Sequence, residues 1–73
     1  MMSRENVIFG RLLRRQRKRY GWTQDNLAQR LGVTRAAVSR VELGHAGPSF
    51  TMLLKIRSNL GRPSFYKLWD YHG

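Results

Sequence analysis

Arg35, Ala36, Ser39 and Arg40 are the side chains of this 73-residue chain whose types and spacing most directly suggest a chemistry. A guanidinium holds its N–H donors in a planar fork, which matches paired acceptors such as a phosphate or the O6 and N7 edge of guanine. A short methyl suits the methyl of thymine, and a serine hydroxyl bonds either a base or a phosphate. All four positions share one side of a helix if Val38 and Val41 face inward, as helical periodicity requires. No rival chemistry assembles. The acids between the termini are single and scattered (Asp25, Glu42, Asp70), no nucleophile accompanies them, and there is no cysteine. His45 and His72 stand too far apart in sequence to suggest a metal site, so the chain is expected to need no metal or cofactor and not to be an enzyme.

Something must hold those four side chains outward. Thr23 and Thr34 each precede a periodic segment, where a side-chain oxygen can accept from the unpaired N–H groups of a first helical turn. Leu27 and Leu31 lie four apart on one helix face, and Val38 and Val41 three apart on the next, so two apolar stripes close on a shared core. Val33 joins them. Ala28 is small enough for the helices to cross closely, and Gly32 ends the first where a left-handed residue is needed.

The reading is all-α with five helices. The first runs from about Arg4 to Tyr20, with Val7, Ile8, Leu12 and Leu13 as its apolar face and Gly10 expected to weaken or delay its start. The second covers Gln24 to Leu31 and the third Arg35 to Leu43. After a breaker-rich loop, GHAGP, Ser49 caps a fourth with the stripe Met52, Leu53, Ile56 and Leu60, closed by Gly61. A fifth starts at Pro63. Residues 1–73 form one domain with a core at about 7–70, and no linker or repeat divides it.

Fourteen Lys and Arg against four acids give a net charge of +10, a balance that draws polyanions. Distribution matters more than the total. Arg11, Arg14, Arg15, Arg17, Lys18 and Arg19 crowd the first helix, where a solvated face or a membrane surface would be the plain alternatives. No apolar run approaches the ~20 residues of a membrane span, and Val7-Ile8-Phe9 is too short for a signal core, so a cytoplasmic protein is expected.

The stretch TQDNLAQRLGVTRAAVSRVELG, from Thr23 to Gly44, resembles the lambda-repressor-like (Cro/cI, XRE) helix-turn-helix family. The matching residues are Arg17, Gly21, Thr23, Gln24, Leu27, Ala28, Leu31, Gly32, Val33, Thr34, Val38, Ser39, Val41, Glu42 and Gly44. Pro48, Ser49, Leu53, Leu54, Ile56 and Leu60 follow at family spacing, so the likeness covers roughly residues 9–70. It implies a five-helix DNA-binding domain whose third helix enters the major groove of double-stranded DNA.

The resemblance assigns base contacts to the same four residues, Arg35, Ala36, Ser39 and Arg40, with a phosphate contact as the alternative for Arg40. Gln24 is similar to the family glutamine that bonds a backbone phosphate beside the helix N-terminal amides, and Thr23 and Thr34 are expected to flank the same anions. Past the third helix, backbone N–H groups around Leu43 and Gly44 and the side chain at His45 are expected to approach phosphates of the opposite strand. Histidine replaces the common Lys or Arg there, which makes that contact pH-sensitive. Arg11 and Arg14 are expected to add longer-range attraction to phosphates. Arg17 and Glu42 occupy the positions of a family ion pair that ties the first helix to the third. Arg57 and Arg62 depart from the pattern, standing where a small alanine and a valine or isoleucine are usual.

Phe65, Tyr66, Trp69 and Tyr71 exceed what so small a chain buries alone, with Trp22 a neighbour for some of them; a homodimer contact through the fifth helix is the outlet. Family dimers set two such helices about 34 Å apart, which predicts a near-palindromic operator. The leading expectation is therefore a homodimeric transcriptional regulator, most simply a repressor. An antitoxin with a toxin partner, a restriction–modification controller and a non-specific nucleic-acid binder are the alternatives.

Overall fold

Four side chains punctuate the chain. Ser3 Oγ accepts from the Asn6 N–H at 3.0 Å, Thr23 Oγ1 from Asn26 at 3.0 Å, Thr34 Oγ1 from Ala37 at 3.1 Å and Ser49 Oγ from Met52 at 3.1 Å. Behind each cap runs a helix: α1 (Arg4–Arg19), α2 (Gln24–Leu31), α3 (Arg35–Glu42) and α4 (Phe50–Leu60). These come from a computed structural model, which describes residues 2–60. The expected fifth helix, with Phe65, Tyr66, Trp69 and Tyr71, lies outside the described residues, as does Arg62.

The cap of α2 is reciprocal. Asn26 Oδ1 accepts from the Thr23 N–H at 3.1 Å while Thr23 receives the Asn26 N–H, so two orphan donors are satisfied together. At its other end Gly32 takes φ 67°, and the Val33 N–H reaches back to the Ala28 carbonyl at 3.0 Å. This left-handed closure makes the expected tight reversal into α3.

One core unites the elements. It consists of Phe9 and Leu13 from α1, Leu27, Ala28 and Leu31 from α2, Val38 and Val41 from α3, and Met52, Ile56 and Leu60 from α4. Val33 and Leu53 pack on its edge, so the stripes expected on α2, α3 and α4 are the ones observed. Helix α3 packs on both α1 and α2, while α4 packs on α2. Arg57 points away from this core on the exposed side of α4, so its departure from the family pattern leaves the packing of Met52, Ile56 and Leu60 intact.

Helix α1 differs from its sequence reading in two respects. Its buried face is Phe9, Gly10, Leu13 and Gln16, whereas Val7, Ile8 and Leu12 are half-buried. The face is turned because Gly10 is a point of contact rather than a weak spot. A Cβ there would stand 2.2 Å from the Val41 carbonyl oxygen and 2.7 Å from that of Glu42. Lacking one, the backbone of α1 lies directly on the end of α3, and the helix begins at Arg4 ahead of it without delay.

Trp22 is half-buried beside the core and stacks on Tyr20, with ring centroids 4.8 Å apart and planes 18° from parallel. The Arg30 guanidinium lies 4.1 Å from the Trp22 ring centroid, a cation–π distance. The Tyr20 hydroxyl donates to the Leu60 carbonyl at 3.1 Å, tying the end of α1 to the end of α4. Within the described residues, the Trp22 ring thus meets Tyr20 on one contact and the Arg30 guanidinium on another.

Candidate nucleic-acid interface

Helix α3 has a buried side and a bare one. Val38, Val41 and Glu42 turn inward, Arg35, Ala36 and Arg40 are exposed, and Ser39 is half-buried between them. Among the described residues neither the Arg35 nor the Arg40 guanidinium makes a hydrogen bond or ion pair, so both forks are free. With its side chains an α-helix is about 10–12 Å across, which a B-DNA major groove about 12 Å wide admits. The four residues expected to read bases therefore share the outward side of a helix of suitable size.

Arg17 is the opposite kind of arginine. Its Nε donates to Glu42 Oε2 at 2.7 Å and its Nη2 to Glu42 Oε1 at 3.0 Å, while Nη1 donates to the Trp22 carbonyl at 2.9 Å. The pair is largely buried, its side chains 11% and 3% exposed. A carboxylate beside phosphate would repel it. Here the bidentate partner neutralises Glu42, and the pair ties α1 to α3 as the family likeness implies.

The backbone N–H groups around Leu43 and Gly44, expected from the resemblance to approach phosphate, make hydrogen bonds within the chain. The N–H groups of Leu43 and Gly44 donate to the Ser39 and Val41 carbonyls, both at 3.0 Å, and that of His45 donates to Arg40 at 2.9 Å. These donors close the last turn of α3. The next amides, Ala46 and Gly47, make no hydrogen bond among the described residues, and the His45 side chain is exposed beside them.

Gln24 begins α2 with its side chain half-buried, and its Nε2 donates to Glu42 Oε1 at 3.1 Å. Sequence reasoning missed this bond, since nothing in the spacing of positions 24 and 42 signals it. The Asn26 half of the capping box was missed as well, because the usual signature has Glu or Gln where this chain has Asn26. Thr23 and Thr34 each accept one hydrogen bond in their caps, which leaves each hydroxyl hydrogen available. Arg11 and Arg14 are exposed on α1. Among the described residues no cluster of His, Cys, Asp and Glu fits a metal ion, and no helix is long and apolar enough to cross a membrane.

Two capped helices closed through a left-handed glycine, the second bare on one side and armed with free guanidinium groups, define a helix-turn-helix domain. A helix-turn-helix family model matches residues 13–66, well over half the chain. An uncharacterized HTH-type transcriptional regulator of Methanothermobacter thermautotrophicus is 43% identical over 51 residues, covering 70% of this chain and 74% of that protein. The SPbeta prophage-derived uncharacterized HTH-type transcriptional regulator YonR of Bacillus subtilis is 32% identical over 65 residues, covering 89% of this chain. This chain spans 60% of the length of that second relative. The chain belongs to the XRE-type helix-turn-helix family of DNA-binding transcriptional regulators.

Proposed function

We propose that this protein binds a specific, near-palindromic sequence of duplex DNA as a homodimer and represses transcription by occupying promoter DNA. The observation that carries this reading is the pair of unengaged guanidinium groups, Arg35 and Arg40, on the outward side of α3. Each guanidinium fits the O6 and N7 acceptors of a guanine, and Ala36 between them fits a thymine methyl. Ser39 bonds a neighbouring base or phosphate.

Phosphates on either side set the register. Gln24, the Thr23 and Thr34 hydroxyls and the outward N–H groups at the starts of α2 and α3 hold one strand. His45, with the free amides that follow it, holds the other, while Arg11 and Arg14 add attraction from α1. The aromatic residues Phe65, Tyr66, Trp69 and Tyr71 supply the contact between two copies. Both relatives carry names of transcriptional regulators, which favours this reading over a general polyanion binder.

Selection of binding sites from random duplex DNA tests the proposal. Two inverted half-sites, each containing guanine, with centres about 34 Å apart are the expected product. A pool that stays unenriched after repeated rounds would overturn it.

A further inference from the structure

Glu42 does a second thing besides tying α1 to α3. Its Oε1 receives the Gln24 Nε2 at 3.1 Å as well as the Arg17 Nη2 at 3.0 Å, and its Oε2 receives the Arg17 Nε at 2.7 Å. The geometry points to Glu42 as a positioning residue for DNA binding, which holds the Gln24 amide aimed at a phosphate before any DNA arrives. The inference rests on the reading of Gln24 as a phosphate anchor.

A glutamine at the first position of a helix is ordinarily a mobile side chain with three rotatable bonds. Holding it still on a phosphate costs rotamer entropy that weakens the contact. In this protein one of the two hydrogens on Nε2 is taken by a carboxylate that is itself 3% exposed and clamped by two Arg17 donors. The second hydrogen remains, and the amide plane is set. The carboxylate also polarises the amide without presenting net charge to the anion, because Arg17 cancels it. Thus α1, α2 and α3 meet in one line of donors and acceptors, Arg17 to Glu42 to Gln24. A change at Arg17, which touches no DNA, then reaches a phosphate contact.

A double-mutant cycle separates positioning from mere stabilisation. The effect of Gln24→Ala on affinity for the most enriched duplex is measured in the wild-type chain and in an Arg17→Met, Glu42→Leu background, where the pair is replaced by apolar side chains. Positioning predicts a loss of about tenfold in the wild type and under about twofold in the apolar background. Equal losses in both would overturn it. A second measurement needs no variant and no DNA: side-chain amide relaxation in the free wild-type protein. Gln24 is expected to be rigid, with an order parameter of about 0.8, whereas the exposed Gln29 falls below about 0.6. Equal mobility of the two amides would overturn the inference. If the wild-type chain bound no duplex, the DNA reading itself would fall, and the relaxation result would still decide whether Glu42 fixes Gln24.

Discussion

Three arginines show how one side chain serves unlike ends. Arg17 spends its donors inside the fold on Glu42 and the Trp22 carbonyl, Arg30 lies over the Trp22 ring, and Arg35 spends none. Each therefore fails differently. Loss of Arg17 or of Glu42 alone strands the other charge among buried neighbours, and either Arg17→Ala or Glu42→Ala is expected to cost ~3–5 kcal/mol in denaturant unfolding. Arg17→Met with Glu42→Leu is expected to cost much less. If the apolar pair is as destabilising as either single change, the stranded-charge account is wrong. The partnership of residues 17 and 42 was readable only through the family likeness, and the Gln24–Glu42 bond not at all, because a contact across 18 residues depends on how α2 and α3 cross.

At the scale of elements, glycine marks both the turn and the crossing, with unlike consequences. At Gly32 the backbone takes φ 67° and a Cβ would find nothing closer than the Lys55 Nζ at 3.8 Å, so Gly32→Ala carries conformational strain of ~1–2 kcal/mol. At Gly10 a Cβ would meet backbone oxygen at 2.2 Å, and the helices must part. Gly10→Ala is expected to cost more than Gly32→Ala, at or above the ~1–3 kcal/mol typical of overpacking, read as the larger drop in melting temperature. The reverse order would mean that α1 does not rest on α3 as described. The bounds of α2 and α3 were legible because threonine caps and a glycine stop are local signals. The face of α1 was not, since a glycine inside a helical pattern looks like a propensity cost until the neighbouring backbone is seen. The C-cap donors of α3 follow the same rule: a resemblance supplies positions, whereas only the hydrogen bonds tell which amides are already engaged.

For the molecule as a whole, the net charge of +10 favours polyanions, and in the proposed function the bare side of α3 sets choice. Among the described residues the inward acid Glu42 is neutralised by Arg17, whereas Asp25 is exposed in the first turn of α2. If a homodimer displaces counterions from about 6–10 phosphates, affinity is expected to fall ~10³–10⁵-fold between about 50 and 200 mM salt. A nearly salt-independent affinity in an anisotropy titration would contradict that footprint. Sedimentation at micromolar concentration is expected to give twice the 73-residue mass on DNA, and a monomer on the duplex would remove the dimer from the account.

The central claim is that Arg35 reads a base. Its most direct test compares wild type and Arg35→Ala on the selected duplex and on single-base variants of each half-site. The expected result is a loss of ~1–3 kcal/mol of discrimination at one G·C position, with preferences elsewhere in the site retained. Equal weakening on every duplex would contradict it and reduce Arg35 to a phosphate contact.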